Sequence, residues 1–166
     1  MILVTVGTQI PFDRLIALVN DWVSQSGSTQ EIVAQVGNSD FSSKNMTVFQ
    51  SVEPEQFEKY IHDCDFIISH AGMGSILTAL RVKKPIVIFP RKAALGEHRN
   101  DHQLATARSF SNIDGVYVVY DKEQLFDLLS DSSSLGGGVL KDSDDYKQLL
   151  SNMANILEDD TVNHSV

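Results

Sequence analysis

A short segment at residues 70–75 carries the residue types of an anion-binding loop. It reads His-Ala-Gly-Met-Gly-Ser and follows a buried apolar run. Glycines at 72 and 74 let backbone N–H groups face an anion, and Ser75 can either cap a following helix or donate to that anion. The lysine and the spacing of a P-loop are absent, which disfavours hydrolysis of nucleoside triphosphates. The pattern favours a diphosphate cradle over a bare turn, with His70 beside it.

A second glycine turn, Gly7-Thr8-Gln9, follows the first apolar run of the chain. Glycine allows a ligand to approach the backbone, and the N-terminus of the helix that follows carries partial positive charge. A plain tight turn explains this tripeptide equally well. The dinucleotide fingerprint G-x-G-x-x-G is absent after this strand, which disfavours an oxidoreductase with a nicotinamide cofactor.

A dense polar cluster at residues 97–103 follows the fifth apolar run and reads Glu-His-Arg-Asn-Asp-His-Gln. In one interpretation His102 and Gln103 point at a ligand, because an amide can recognise hydroxyl groups or a base. In the other, the cluster is a solvated loop that leads into a helix capped by Asn100 or Asp101.

Other chemistries have little support in the sequence. His98 and His102 lie four residues apart, but no glutamate stands beside the first histidine and no third ligand is evident, so no metal site is predicted. No G-x-S-x-G motif surrounds a serine, so a hydrolase triad has no nucleophile elbow. Cys64 is expected in the core and His62 on a helix surface. Arg91 and Lys92 follow a strand and could meet a phosphate, but a solvated pair is the more ordinary expectation.

Apolar runs alternate with amphipathic segments along the first 130 residues. The strands are predicted at residues 2–6, 32–36, 47–49, 65–69, 85–89 and 116–120. Helices are predicted at 12–24, from Pro54 onward, and at 75–82, 100–110 and 122–129. This alternation predicts an α/β fold, a Rossmann-like doubly wound parallel sheet of about six strands. Ligands bind outside the carboxyl ends of such strands, where the three polar segments fall.

The domain organisation expected from these patterns is simple. Residues 1–130 form one Rossmann-like domain, and 131–143 form a flexible Ser/Gly-rich loop. A helix is predicted at 144–158, with an apolar stripe that packs on its own sheet or docks a partner, followed by a flexible tail at 159–166.

Length and composition limit the function classes. The 166 residues suit one domain, and a single cysteine excludes an internal disulfide. The 13 basic and 22 acidic residues give a net charge of −9, which disfavours nucleic-acid binding and direct docking on an anionic membrane. No apolar run approaches the ~20 residues of a membrane span, and the first residues lack a signal-peptide pattern. We therefore expect a cytoplasmic protein.

Five blocks of sequence occur in a characteristic order. They are Val-Thr-Val-Gly-Thr at 4–8, Phe-Asp-Arg-Leu at 12–15, Ile-Ser-His-Ala-Gly-x-Gly-Ser-Ile-Leu at 68–77, Lys-Pro at 84–85 and Glu-His-x-Asn-Asp-His-Gln at 97–103. Together they resemble the C-terminal domain of family 28 glycosyltransferases over about residues 1–130. The resemblance is strongest to its stand-alone members, which are the soluble catalytic subunit of the split dolichol-pathway N-acetylglucosaminyltransferase and similar bacterial exopolysaccharide and capsule subunits.

The resemblance implies the C-terminal half of a GT-B enzyme, which binds the nucleotide-sugar, usually a UDP-sugar. It places the diphosphate and donor beside Gly7, Thr8, His70, Ala71, Gly72, Met73, Gly74 and Ser75. It places the ribose and sugar beside Thr78, Glu97, His98, His102 and Gln103, and the uracil beside the backbone of Val52, Glu53 and Pro54.

One departure from the family pattern concerns the ribose. Family members often have an acidic residue three positions after the serine of the glycine loop, and this chain has Thr78 there. Either Thr78 makes a weaker contact, or another group such as Glu97 takes over, or ribose binding is poorer.

The resemblance also implies an activity and a partner. We expect a metal-independent, cofactor-free, inverting transfer of a hexose or N-acetylhexosamine from a UDP-sugar to a lipid-linked saccharide in polysaccharide or glycan biosynthesis. The general base of relatives lies on the acceptor-binding half, so a separate membrane-associated subunit would supply it and recruit this chain to the membrane, with His70 as an assisting group. The alternative is a non-catalytic nucleotide-sugar-binding subunit. A sugar-nucleotide epimerase would need both GT-B halves in one chain.

Overall fold

The apolar runs form one six-stranded parallel sheet in the computed structural model, with strand order β3-β2-β1-β4-β5-β6. The structure describes residues 1–138 and residue 151. The strands are β1 (Ile2–Thr5), β2 (Ile32–Gln35), β3 (Thr47–Phe49), β4 (Phe66–His70), β5 (Ile86–Phe89) and β6 (Val116–Val118). Every residue of β1, β2 and β5 is buried, as expected for parallel strands that are covered on both faces. The predicted doubly wound fold is confirmed.

A helix follows each of β1, β3, β4, β5 and β6, whereas residues 36–46 join β2 to β3 without a helix. The helices are α1 (Asp13–Ser26), α2 (Pro54–Asp63), α3 (Met73–Arg81), α4 (His102–Phe110) and α5 (Lys122–Ser130), with 3-10 turns at Ala93–Leu95 and Ser132–Ser134. In the part of the chain that the structure describes, none of these helices combines the length and the apolar character needed to cross a bilayer.

Several boundaries differ from the prediction, each for a local reason. α3 begins at Met73 because Gly72, in an extended conformation, precedes the first turn, so Ser75 is the third helical residue and not the cap. β6 ends at Val118 and not at residue 120, although the backbone N–H of Val119 still donates to the Ile88 carbonyl; the N–H of Tyr120, which faces the open edge of the sheet, donates to the Gln124 side chain.

The start of α4 also differs from the prediction. The helix begins at His102 and not at residue 100. The Asn100 side-chain oxygen accepts from the His102 backbone N–H, whereas Asp101 bonds back to the N–H of Ala93. Of the two predicted caps, Asn100 therefore satisfies a helical amide, and Asp101 ties down the preceding 3-10 turn.

The sheet has one apolar cluster on each face. Alternate strand residues such as Ile2 and Val4 pack against α1 and α5. Their neighbours, such as Leu3 and Ile67, pack against α2, α3 and α4. Cys64 lies in this second cluster with 1% exposure, as predicted, and burial raises the pKa of its thiol to about 11. His62 is exposed on α2, also as predicted.

The strand order creates a crevice at one place. β1 pairs with β2 on one side and with β4 on the other, so the chain reverses its direction across the sheet at the β1–β4 boundary. The loops that leave the carboxyl ends of these two strands diverge to opposite faces, which opens a ligand-sized gap between them. The turn at residues 7–9 and the segment at 70–75 lie at this gap.

The Ser/Gly-rich segment packs on the sheet edge as far as it is described. The Tyr117 hydroxyl accepts from the Gly136 N–H at 2.9 Å and donates to the Gly136 carbonyl at 3.2 Å. A Cβ on Gly137 or Gly138 would overlap the carbonyl oxygen of Lys83 or of Asp114. Glycine is therefore required here by close contact. The helix predicted at 144–158 and the tail at 159–166 lie outside the described residues, except for residue 151.

Candidate functional site

Two neighbouring clefts open at the carboxyl edge of the sheet and share Gly7 and Thr8 on their common rim. We call the larger, of about 420 Å³, the apolar cleft. It is lined by Leu3, Thr5, Gly7, Thr8, Gln35, Val52, Pro54, Phe57, Ile61, Ile67, Gly74, Ser75 and Thr78. We call the smaller, of about 250 Å³, the histidine cleft. It is lined by Val6, Gly7, Thr8, Gln9, Ile10, His70, Arg91, His98 and Gln103.

The apolar cleft lies between α2 and α3. Phe57 and Ile61 of α2 form one wall, and Gly74, Ser75 and Thr78 of α3 form the other. No ionisable side chain is among the described residues that line it. At its floor the Thr5 hydroxyl donates to the Gln35 side-chain oxygen at 2.7 Å. Its apolar walls with a few hydroxyl and amide groups suit a flat, uncharged ring system.

The N-terminus of α3 opens into this cleft. Gly72 precedes the helix and no side chain caps it, and the first helical hydrogen bond runs from the Ile76 N–H to the Gly72 carbonyl. The backbone N–H groups of Met73, Gly74 and Ser75 thus lack an intrahelical acceptor. A Cβ on Gly74 would meet no atom within 4 Å outside the helix's own backbone, so the space beside this glycine is open. A helix end of this kind attracts an anion.

His70 stands at the end of β4 between the two glycine loops. A Cβ on Gly72 would overlap its imidazole ring, and a Cβ on Gly7 would lie 3.2 Å from its Nε2. Burial, and to a smaller extent the charges of Arg91 and His98, together lower the pKa of His70 to about 4. The imidazole is therefore neutral at physiological pH.

Gln103 links three segments beneath the histidine cleft. Its side chain is buried, and its Oε1 accepts from the backbone N–H of Ala71 at 3.1 Å and of Arg91 at 3.2 Å. Its Nε2 lies 3.1 Å from Nδ1 of His70. Gln103, which was predicted to contact the sugar, thus lines the histidine cleft, but its side-chain oxygen already accepts two hydrogen bonds from the protein backbone.

Arg91 corrects the prediction of a solvated base, since only 2% of it is exposed. Its guanidinium donates to the carbonyl oxygens of Val6 at 2.9 Å, Ile10 at 2.5 Å and Pro11 at 2.6 Å, and lies 4.6 Å from the centre of the Phe12 ring. Burial lowers its pKa to about 10, partly offset by Glu97. Sequence reasoning missed this role, because no local pattern shows that the carbonyls of a distant loop converge on one side chain.

Glu97 is engaged away from the apolar cleft. Its Oε1 accepts from Arg14 Nε at 2.5 Å, and its Oε2 accepts from Arg14 Nη2 at 2.8 Å and from the Lys92 backbone N–H at 2.8 Å. Glu97 was one predicted substitute for the acidic ribose contact, but its carboxylate already accepts hydrogen bonds from Arg14 and Lys92. Thr78, in contrast, lines the apolar cleft. Lys92, half-buried, donates to the Tyr120 carbonyl at 3.3 Å.

The remaining predicted residues divide between the rims and the interior. His98 lines the histidine cleft, and its Nδ1 lies 3.1 Å from the Asn100 side-chain oxygen. Val52 and Pro54 line the apolar cleft. Ala71, Gly72, Met73, Glu53 and His102 line neither cleft, although Ala71 and Gly72 position their neighbours as described. Within the described residues, no three His, Cys, Asp or Glu side chains are grouped so as to hold a metal ion.

Comparison with known sequences identifies one family. The family model described as the glycosyltransferase family 28 C-terminal domain matches residues 1–155. The UDP-N-acetylglucosamine transferase subunit ALG13 of Candida albicans is 30% identical over 80 residues, 48% of this chain and 25% of that protein. Its human counterpart is 32% identical over 116 residues, 64% of this chain and 10% of that protein.

A bacterial relative shows a similar degree of sequence identity. The Clostridium botulinum UDP-N-acetylglucosamine--N-acetylmuramyl-(pentapeptide) pyrophosphoryl-undecaprenol N-acetylglucosamine transferase is 30% identical over 104 residues, 61% of this chain and 26% of that protein. The match thus spans about a quarter or less of each of these relatives.

Solved structures share the fold at low identity. The solution structure of ALG13 superposes with a TM-score of 0.59 at 19% identity, over 88% of this chain and 91% of that one. The crystal structure of the glycotransferase of kitacinnamycin gives a TM-score of 0.62 at 19% identity, over 93% of this chain and 38% of that one. At this identity the likeness concerns the fold alone.

Proposed function

Since the chain belongs to the glycosyltransferase family 28 C-terminal domains, we propose that it binds the UDP-sugar donor of a two-component inverting glycosyltransferase. The observation that carries this proposal is the apolar cleft that leads to the uncapped N-terminus of α3. A flat uncharged ring and an anionic group joined by a short polar link would fill both parts at once. A nucleoside diphosphate has this composition.

The base and the ribose are assigned to the apolar cleft. The rings of Phe57 and Pro54 offer apolar contact to a uracil, and the adjacent backbone at Val52 offers hydrogen-bonding groups to its edge. The Thr78 hydroxyl lies on the wall where a ribose would follow the base. A hydroxyl forms weaker hydrogen bonds than a carboxylate, so we expect a nucleotide affinity lower than an acidic residue would give.

The diphosphate is assigned to the space between the two glycine loops. The amides of Met73, Gly74 and Ser75 would donate to its oxygens, and neutral His70 would add a side-chain donor. Preorganised donors of this kind stabilise the charge that develops on a leaving diphosphate, and the loss of one typically lowers the rate by about 10²–10³. These groups would serve in place of a metal ion or cofactor.

The donor sugar would extend from the diphosphate toward the histidine cleft, where His98 lines the wall. We propose a hexose or N-acetylhexosamine as the transferred group and a lipid-linked saccharide as its acceptor. The relatives from Candida albicans and human are named as transferase subunits, which supports a partner. That partner would be membrane-associated, bring the general base and the acceptor, and recruit this negatively charged chain to the cytoplasmic face of the membrane.

Titration calorimetry with UDP, UMP, ADP and a panel of UDP-sugars tests donor binding. We expect binding of UDP and UDP-sugars, weaker binding of UMP and ADP, and at least a tenfold loss in Gly74→Trp, because the indole would fill the open space before the α3 amides. Arg81→Trp, an exposed position at the other end of α3, is the matched control. Absence of UDP binding in the wild-type chain would refute the proposal.

A transfer assay tests the partner requirement. Labelled UDP-sugar is mixed with membranes from a native-host strain that lacks this chain, with purified chain, or with both. We expect label in lipid only when both are present, and its loss with the Gly74→Trp chain. Full transfer to a lipid acceptor by purified chain alone would contradict the two-component arrangement. Donor binding with undiminished transfer by membranes that lack the chain would indicate a non-catalytic binding subunit.

A further inference from the structure

The orientation of the Gln103 side-chain amide is fixed by two groups that can only donate. The backbone N–H of Ala71 at 3.1 Å and of Arg91 at 3.2 Å both point at the same side-chain atom. An amide nitrogen there would place donor against donor twice, at a buried position. The atom is therefore the oxygen Oε1, and the NH₂ group faces the other way, toward His70.

The orientation of this amide determines the tautomer of His70. The Gln103 NH₂ group lies 3.1 Å from Nδ1 of His70, and an NH₂ group can only donate. Nδ1 must then be the unprotonated, accepting nitrogen. A neutral imidazole carries one proton, which consequently resides on Nε2. This nitrogen lies on the side of the ring that faces Gly7 and the gap between the glycine loops.

We infer that Gln103 is a positioning residue that holds His70 as the neutral Nε2–H tautomer, so that the imidazole presents a hydrogen-bond donor to the ligand gap. The inference about the tautomer depends only on the protein. Its consequence for the diphosphate rests on the proposed function. In this arrangement Gln103 acts through His70, in place of the direct sugar contact that its position in the sequence suggested.

The charged surroundings favour the neutral form of the ring. Arg91, which follows β5, and His98, in the loop before α4, are the described groups whose charge acts on His70, and both disfavour a second proton there. Burial is the largest cause and acts in the same direction, and together these causes bring the pKa of His70 to about 4. Between pH 6 and 9 the ring therefore stays neutral, and only the choice between its two tautomers determines whether Nε2 donates or accepts.

The substitution Gln103→Glu reverses this choice with little change in shape. One carboxylate oxygen can still accept from Ala71 and Arg91, but the other replaces a donor with an acceptor opposite Nδ1. Nδ1 must then carry a proton. At high pH the neutral ring becomes the Nδ1–H tautomer, which turns a lone pair on Nε2 toward the gap, and the new carboxylate raises the pKa of His70.

Nitrogen-detected NMR of ¹⁵N-histidine-labelled protein without any ligand tests the tautomer directly. The spectrum of His70 is assigned by its loss in His70→Gln, and exposed His62 serves as the reference ring. In the wild type we expect an unprotonated Nδ1 and a protonated Nε2 throughout pH 6–9. In Gln103→Glu we expect a protonated Nδ1. The exposed substitution Gln56→Glu on α2, which adds the same charge, should leave the His70 spectrum unchanged.

A protonated Nδ1 in the wild-type ring would overturn the inference, even if Gln103→Glu failed to fold. So would an unprotonated Nδ1 in a folded Gln103→Glu chain. Because these spectra need no nucleotide, the result stands whether or not the chain binds UDP.

Calorimetric titration of UDP tests the consequence for binding. The Gln103→Glu chain should lose affinity relative to wild type as the pH rises from 6 to 9, by about tenfold at the upper end, since a lone pair then replaces a donor to a charged group. For Gln56→Glu, the ratio of its UDP affinity to that of the wild type should stay constant from pH 6 to 9. A constant ratio in Gln103→Glu would show that the Nε2 proton does not contact the diphosphate, and absence of UDP binding in all chains would refute the proposed function instead.

Discussion

Arg14 and Glu97, 83 residues apart in sequence, form a two-point ion pair across the carboxyl edge of the sheet. Arg14 Nε and Nη2 lie 2.5 Å and 2.8 Å from the two carboxylate oxygens, and the Arg14 guanidinium lies 4.5 Å from the centre of the Phe89 ring. The pair joins the first turn of α1 to the loop that follows β5. It therefore ties the loop that carries His98, which lines the histidine cleft, to α1 by a contact that needs no ligand.

Replacing Glu97 by Gln should lower stability without changing nucleotide affinity. The amide keeps one acceptor but loses the charge, so we expect a decrease of about 1–3 kcal/mol in the free energy of unfolding by urea. Exposed Glu58→Gln on α2 should change stability by less than about 0.5 kcal/mol. A chain of undiminished stability with much weaker UDP binding would show instead that Glu97 contacts the ribose.

Replacing Arg91 by Met should loosen the loop after β1. The carbonyl oxygens of Val6, Ile10 and Pro11 would lose their shared donor, and we expect a loss of about 3 kcal/mol in the free energy of unfolding. Backbone amides at residues 7–10 should exchange hydrogen faster, because a local opening no longer breaks these contacts. Exposed Arg99→Met is the control, and equal exchange in both variants would contradict a role for Arg91 in this loop.

Alanine at Gly72 and at Gly74 should act in opposite directions. At Gly72 a Cβ overlaps the His70 imidazole, so the ring must shift and stability should fall by about 1–3 kcal/mol. At Gly74 a Cβ meets nothing within 4 Å inside a helix, so stability should rise by roughly 0.5–1 kcal/mol. Thermal unfolding of the two variants checks this, and a destabilised Gly74→Ala would mean that the space before α3 is not open.

Acid should destabilise the fold partly through His70. Burial holds its folded pKa at about 4, below the ordinary value of 6.5, so the unfolded chain binds more protons between these two pH values. Stability therefore falls as the pH drops through this window, by about 3 kcal/mol in total from this residue. Above pH 6.5 both states are neutral at His70 and it contributes no pH dependence.

His70→Gln should remove this part of the pH dependence. Urea unfolding at a series of pH values should give a shallower decline for His70→Gln than for the wild type, while exposed His62→Gln runs parallel to the wild type. Parallel curves for all three chains would mean that His70 is protonated as readily in the folded state as in the unfolded one.

Local sequence patterns were sufficient to predict the fold and the glycine loops that line the two clefts. The alternation of buried runs and amphipathic segments predicted six strands, and six parallel strands are present. Gly7, Gly74 and Ser75 line the apolar cleft because they closely follow strand ends, which are visible in the sequence, and Thr78 lies one helical turn beyond Gly74 on α3. Errors in the element boundaries were small, as at α4, which begins at His102 and not at residue 100.

The amino-acid sequence by itself determined which segments reach the carboxyl edge, because hydrophobic periodicity and glycine placement are properties of neighbours along the chain. Only the tertiary structure decided what the polar side chains do there. Arg91 bonds to a carbonyl 85 residues away, and Gln103 contacts an imidazole 33 residues away. Whether such a group faces solvent, ligand or backbone depends on which strands the topology makes adjacent, and no local pattern encodes that adjacency.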